Sequence, residues 1–447
     1  MTRSGRFDAA AVARAAGAAL HHGPGTRDRF KCAVCDSREV RPGALFVGLR
    51  GARHDGGAFA PAALAAGAWG VLVEPQHSPA CVERAAPDQV VLVSPDPLRA
   101  LQRLAASWRQ HLGARVVGIT GSTGKTSTKD ILAALLRAAG VTVHASPENL
   151  NTEIGLPLSV LAAPPGSEVL VLEMAMRGEG QIAELVAIAR PQVGAIVNIG
   201  PVHLELLGSV ERIARAKAEL IGGLEPGATA VVPVAEPLLA PYLRDDLETL
   251  TFGPGGDVQQ VGLRDGSLEL QLPFGVLSLP VAFDEPHQLS NTLCAVACAL
   301  ALGVLPRGRV EPEFSRLRGQ TVTLDGGVRV ILDCYNANPM SMRAALDNLA
   351  RRPGGRRLAV LGKMAELGPR APELHREIGR YARDAGVDVL VCVGEEAREY
   401  AVGFAGEAHL CETPEEAGRL LRNLAQPEDV VLLKASRSVG LERAIEG

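Results

Sequence analysis

The sequence has no basic excess, no long apolar run and no second pair of cysteines, and each absence removes a class of function. Lysine and arginine number 46 against 50 acidic residues, a formal net charge of −4. Proteins that bind bulk nucleic acid usually carry a basic excess, so this balance argues against that role. The longest apolar run, Leu293 to Leu305, has 13 residues. A membrane-spanning helix needs about 20, so the run reads as a buried helix. The N-terminal stretch MTRSGRFDAAAVARAAGAAL scatters charges through its apolar part and does not read as a signal peptide. A soluble, cytoplasmic protein is expected. Eight cysteines occur; Cys32 and Cys35 form a CxxC, and Cys294 and Cys298 lie one helical turn apart. No second pair follows Cys35 at a spacing that would complete a zinc site, so reduced, partly buried thiols are expected.

What is present is an alternation. A chain of 447 residues suggests two or three domains. Residues 1–95 are rich in Ala and Gly with short apolar runs such as ALFVGL and WGVLV. SPDP then breaks the chain, and LRALQRLAASWRQHL reads as a helix. From 115 the pattern becomes strand, loop, helix: RVVGIT, then a helical stripe of Ile131, Leu132, Leu135 and Leu136 ended by Gly140. EVLVLEM and GAIVNIG are continuous apolar runs, as strands buried on both faces should be. A β-rich, Gly-rich stretch covers roughly 250–283, and an Ala-rich helix follows over 288–302. A second alternation starts near 328 with VRVILD and runs through RRLAVLG, VDVLVCVG and DVVLLKAS. Strands alternating with helices imply mostly parallel sheets with right-handed crossovers. The expected fold class is α/β in three domains. They are a small N-terminal α/β domain (1–95), a central P-loop domain with a mostly parallel sheet (96–305) and a C-terminal Rossmann-like domain (306–447).

The chemistry starts at GITGSTGKTSTKD, residues 118–130. The usual phosphate loop has a glycine five positions before its Gly-Lys pair; here that position is Ile119. The physics of the loop nonetheless holds. Gly121 and Gly124 permit backbone angles closed to other residues. A helix opens at Lys125, so N–H groups converge on an anion, and Gly121, Ser122, Thr123, Gly124, Lys125, Thr126 and Ser127 are expected to bind the nucleotide. The Lys125 ammonium can reach β and γ phosphates, and the Thr126 hydroxyl can ligate Mg2+. The bland alternative is a Gly-rich turn with an exposed lysine.

The shortened loop TGSTGKTS resembles that of the Mur ligases and their relatives, the folylpolyglutamate synthases, which form amide bonds by ATP-driven acyl phosphate chemistry. The resemblance extends over about residues 30–446. VLEMAM supplies Glu173 as a strand-tip Mg2+ ligand, and NIGPVHLELLGSVERIARAKAEL supplies His203 and, 14 residues on, Lys217. In the family the histidine ligates a second Mg2+ and the lysine is carbamylated. The resemblance therefore implies ATP, two Mg2+ ions and a carbamylated Lys217 as cofactors, with Lys125, Lys217 and His203 catalytic. Asn291, in HQLSNTLCAVACALALG, stands where the family contacts adenine; a helix-capping role for Ser290 or Asn291 is the alternative. Arg318 stands where the family arginine reaches the γ-phosphate, and Asp333 where its acid binds ribose. The family usually places Gly before that arginine, whereas Gly319 follows it here.

Other motifs narrow the substrate. DCYNANPMSM, NLNTEIGLPLSVL, and AVLGKMAELGPRAPELHREIGRYA with His375 resemble those of family members that extend a UDP-linked tripeptide with a dipeptide. Lys363 replaces an acid of that pattern, and Ala435 replaces the Gly of a Lys-Gly-Ser element. The implied partners are UDP-N-acetylmuramoyl-tripeptide and D-Ala-D-Ala, with no nucleic acid and no membrane span; a monomer is expected. The implied substrate contacts are Asn149, Asn151, Tyr335, Asn336 and Asn338, with Asp36, Ser37 and Arg38 holding the UDP end. Asn-Ala-Asn-Pro as a mere turn former, and an Asp-Ser turn with a solvated arginine, are the alternatives. The neighbouring ligase that adds a diamino acid meets its charged end with an Asp-Asn-Pro-Arg string, and none occurs here. That ligase, and a nucleotide-gated binding protein without ligation, are the rival readings.

Overall fold

A computed structural model describes residues 7–446 apart from 24, 26–28, 148, 149, 235 and 325. The first sheet has five strands in the order Ala19–His22, Val90–Val93, Gly70–Val73, Ala44–Val47, Cys32–Val34. The first pair is antiparallel and the rest are parallel. The three inner strands are buried at every residue, which is why they read as unbroken apolar runs. The helix Pro97–Leu112 covers one face of this sheet and also packs on the helix Gly155–Ala162. Its start is set by the Asp96 side chain, which accepts from the Arg99 N–H at 2.9 Å. Trp108 pins its far end, donating from Nε1 to the Ala163 carbonyl at 3.1 Å. The Arg29 guanidinium lies 3.6 Å over the Trp108 ring, so the seam between the first two sheets is packed rather than loose.

The second sheet has six strands, all parallel, in the order Glu248–Phe252, Thr229–Pro233, Val193–Ile196, Arg115–Thr120, Val169–Glu173, Val143–Ala145. From Arg115–Thr120 the chain first builds outward on one side, then crosses to Val193–Ile196 on the other. Open parallel sheets bind ligands at such a reversal, beyond the carboxyl ends of the strands. Thr120, Glu173 and Ile196 end the three strands concerned. One face is covered by the helices Lys125–Ala138 and Pro286–Ala301. A three-stranded antiparallel sheet, Gln259–Arg264, Ser267–Leu272 and Gly275–Pro280, adds Leu268, Leu270, Leu272 and Leu279 to the same core.

The last sheet has six strands in the order Gln320–Thr323, Arg329–Asp333, Val430–Lys434, Arg357–Gly362, Val389–Val393, Ala408–Cys411, and only its first pair is antiparallel. Asp333 lies opposite Lys434 in register at the strand ends. The connection from the central sheet is tied down: Ser315 donates through N–H and Oγ to Asp130, both at 3.1 Å. Arg307 donates to the Ala139 carbonyl at 2.7 Å. The protein is α/β with three such units, and the two larger ones meet face to face: a Cβ on Gly200 would lie 1.9 Å from the Met340 sulfur.

Candidate functional site

A cavity of about 920 Å3 lies between the central and C-terminal sheets. Its first wall is the loop after Arg115–Thr120. Gly124 has φ +76°, and a Cβ there would stand 2.4 Å from Asn291 Oδ1. Both the backbone angle and the neighbour therefore demand glycine. The loop is clamped by a residue that sequence reasoning passed over, Asn198. Its Oδ1 accepts from the Thr123 N–H at 2.9 Å, and its Nδ2 donates to Thr123 Oγ1 at 3.0 Å. Ser122 Oγ donates to the Gly200 carbonyl at 3.0 Å. The only local hint was the Asn-Ile-Gly that ends an apolar strand.

Beneath the loop lie two cations and one carboxylate. Lys125 and Lys217 each donate from Nζ to the Gly121 carbonyl at 3.0 Å. Burial drives the Lys217 ammonium well below the ordinary lysine range, and Lys125 beside it adds to the effect. Lys125 is lowered by burial too, opposed by Glu173 and reinforced by Arg318. Glu173 is buried at its strand tip. It accepts from Thr126 Oγ1 at 2.7 Å and from Asn151 Nδ2 at 2.8 Å. Lys217 comes from the helix Val210–Gly222, which Ser209 caps by accepting from the Arg212 N–H at 3.3 Å.

The opposite wall is C-terminal. The Arg318 guanidinium sits 4.0 Å over the Tyr335 ring. Asp333 accepts from Lys434 Nζ at 2.6 Å, and the same ammonium donates to the Asn336 carbonyl at 2.9 Å. Asn338 is spent partly on structure: its Oδ1 accepts from the Ser341 N–H at 3.0 Å, capping the helix Pro339–Arg351. Asn336 Oδ1 accepts from the Ala337 N–H at 2.8 Å. So the turn-forming role of these asparagines is real, and both residues line the cavity as well. His203 closes the cavity, with Nδ1 against Glu366 Oε2. Burial lowers the His203 imidazole from its usual value, the Glu366 contact opposes this, and Lys125 and Lys217 assist it.

The expected residues sort cleanly by place. Ser122, Thr123, Gly124, Lys125, Thr126, Ser127, Asn151, Glu173, His203, Asn291, Arg318, Asp333, Tyr335, Asn336 and Asn338 all line the cavity. Gly121 and Lys217 lie just behind the loop. Asn291 is inside the helix Pro286–Ala301, which excludes the capping role for it; it donates to Gln288 Oε1 at 3.1 Å. Asp36, Ser37 and Arg38 do not line the cavity. They form a short 3-10 turn on the N-terminal unit, where Arg38 Nε donates to Asp36 at 2.9 Å. That contact holds the Asp36 carboxyl at about 2. Asn149 lies outside the described residues. Lys434, His287 and Gln288 also line the cavity, though none was singled out from the sequence, and Glu366 touches the lining residue His203.

No group of three or more His, Cys, Asp or Glu side chains able to hold a metal occurs among the described residues. The Thr126 hydroxyl and Glu173 carboxylate are nevertheless hard oxygen donors side by side. That set suits Mg2+, which keeps several waters and takes its other ligands from substrate phosphates.

Family models match three stretches of the chain: Mur ligase family catalytic domain over residues 30–109, Mur ligase middle domain over 119–299, and Mur ligase glutamate ligase domain over 317–437. The UDP-N-acetylmuramoyl-tripeptide–D-alanyl-D-alanine ligase of Synechocystis sp. is 38% identical over 91% of this chain and 90% of its own. The Escherichia coli protein of the same name is 31% identical over 92% of each chain. Among solved structures, MurF from Acinetobacter baumannii superposes with a TM-score of 0.85 at 30% identity, covering 98% of both chains. The MurF ligase from Thermotoga maritima in complex with ADP gives 0.79 at 32% identity, covering 94% of this chain and 96% of that one. With a phosphate loop, its clamp and a facing C-terminal wall in one cavity, and relatives aligned over nine-tenths of its length, the chain belongs to the Mur ligase family.

Proposed function

We propose that the protein is an ATP-dependent amide ligase that joins D-Ala-D-Ala to UDP-N-acetylmuramoyl-tripeptide in the cytoplasmic stage of peptidoglycan synthesis. One observation carries this most: the YNANP loop, 335–339, forms the wall of the cavity facing the phosphate loop. An acyl phosphate made at one wall then meets an amine held at the other. The relatives that align over most of the chain carry that activity in their names. No helix among the described residues is long and apolar enough to cross a membrane.

ATP lies along the phosphate loop, with its adenine toward Asn291, its ribose toward Asp333 and its γ-phosphate toward Lys125 and Arg318. The free carboxylate of the tripeptide attacks the γ-phosphorus, giving an acyl phosphate and ADP. Lys125 and Arg318 stabilise the transferring charge from fixed positions, the largest kind of contribution to such a step. Thr126 and Glu173 would hold one Mg2+ and His203 a second, and these ions, when bound, neutralise charge on the phosphates. The amine of D-Ala-D-Ala then attacks the acyl carbon and inorganic phosphate leaves. Tyr335, Asn336 and Asn338 orient the dipeptide, Asn151 contacts the peptide end, and Asp36, Ser37 and Arg38 hold the UDP end. Lys217 is carbamylated: CO2 adds only to a neutral amine, and burial already favours that form. The carbamate replaces a cation with an anion beside Lys125.

The test is phosphate release. It should require ATP, UDP-N-acetylmuramoyl-tripeptide and D-Ala-D-Ala together. Product from a free diamino acid on the UDP-linked dipeptide, with none from D-Ala-D-Ala on the tripeptide, would transfer the assignment to the neighbouring ligase.

A further inference from the structure

Two non-glycine residues with left-handed backbones meet across the central and C-terminal units. His203 has φ +53° and Glu366 φ +62°. Such angles strain any residue with a Cβ, and they persist where the surrounding structure and the function of the side chain require them. Glycine would adopt either turn without steric strain, so the chain keeps these two side chains for what they do. What they do is touch: Glu366 Oε2 accepts from His203 Nδ1, and Glu366 Oε1 lies 3.4 Å from Arg177 Nε. The backbones join as well, the Glu205 N–H donating to the Glu366 carbonyl at 3.1 Å.

The loop that presents Glu366 is itself fixed. The Met364 N–H donates to His375 Nε2 at 3.0 Å, and the Ala365 N–H donates to Ser436 Oγ at 2.9 Å. His375 Nδ1 donates to the Ala371 carbonyl at 2.6 Å, so this ring is neutral with its proton on Nδ1.

We infer that Glu366 is a positioning residue: it joins the C-terminal unit to the central one and holds the His203 ring in a single tautomer. A carboxylate only accepts, so the His203 proton sits on Nδ1 and the Nε2 lone pair is left for the cavity. Docking of the C-terminal unit thereby completes the central site. The inference rests on the ligase reading for its kinetic consequence, but not for its structural one.

The experiment compares the parent with Glu366→Gly in two ways. Compaction by small-angle scattering is recorded on adding a non-hydrolysable ATP analogue with UDP-N-acetylmuramoyl-tripeptide, and kcat and KM are recorded for ligation. Glycine relieves the left-handed strain, so the variant should melt no lower than the parent. It should nevertheless lose ligand-induced compaction, and its kcat should fall by up to about 10²-fold, the loss that misplacing a reacting group brings, with KM for ATP little changed. A variant that compacts and turns over like the parent overturns the inference. So does a loss confined to KM. If the glycine variant fails to fold, Glu366→Gln, which keeps the side-chain volume, is judged by the same two readouts. Should the parent compact but form no product, the ligase reading fails while the contact stands.

Discussion

Lys217 is 2% exposed and Lys434 is 1% exposed, yet the two ammonium groups are treated in opposite ways. Lys434 has an acid opposite it in register, Asp333 at 2.6 Å, and a carbonyl from the adjoining loop. For Lys217, no carboxylate lies within ion-pair distance among the described residues; it has one carbonyl, which Lys125 shares. A buried charge without a counter-charge is disfavoured and the group tends to neutralise. The difference separates two uses of a buried lysine. Lys434 ties the YNANP loop to its sheet and belongs to the architecture. Lys217 has no such counter-charge, and burial lowers its pKa, which is what the proposed carbamylation needs.

The largest effect tests the cation above this pair. Lys125→Ala should lower kcat at saturating ATP by on the order of 10²–10³, the usual cost of removing one charge-stabilising donor. A near-normal kcat in the folded variant would remove the phosphate-loop role. Next, Lys217→Ala should be largely inactive and regain part of its rate with acetate, a small carboxylate that would stand in for the proposed carbamate. Lys434→Met should regain nothing from acetate. If both variants respond alike, the contrast between the two lysines is wrong. Lys434→Met should instead lose stability in urea by about 1–3 kcal/mol, the cost of leaving a partly buried acceptor without its partner, and should bind D-Ala-D-Ala more weakly.

The pH dependence of stability sharpens the same contrast. The folded pKa of Lys217 lies below its unfolded value, near the ordinary 10.5. Between the two, the unfolded chain binds the extra proton, so stability rises with pH up to about 10.5 and is lost as pH falls. In CO2-free buffer, Lys217→Met should flatten that rise and be the more stable protein at neutral pH. An unchanged slope would mean that the ammonium is tolerated. The smallest effect on the fold is expected at Asp36. It is partly exposed and paired with a largely exposed arginine, and such surface pairs add little to stability. Asp36→Asn should leave the melting temperature unchanged and raise KM for the UDP-linked substrate alone.

The phosphate loop and Glu173 at its strand tip were legible because each depends on neighbours within a few residues, whereas Lys217 was picked out only by the family resemblance and its helix was not read from the sequence. A glycine pattern, an apolar strand and a helical stripe are local signals. Asn291 was ambiguous: the residue type suits a cap, and only the start of its helix at Pro286 rules that out. Asn338 shows the converse, since it caps a helix and lines the cavity at once. Asn198 was missed because it acts on Thr123, 75 residues earlier.

The sequence by itself determined the α/β alternation, the turn that cradles an anion and the residue types gathered around it, since backbone preference and hydrophobic period are written residue by residue. Only the tertiary structure decided which charges are paired. The partner of Asp333 is 101 residues away and that of His203 is 163, and nothing local specifies either. Strand order and register set Asp333 beside Lys434, while the docking of two separate sheets sets Glu366 against His203. Burial then fixes the consequences. The same side chain is an ion-paired strut when the fold supplies a counter-charge, and its ammonium is destabilised by burial when it does not.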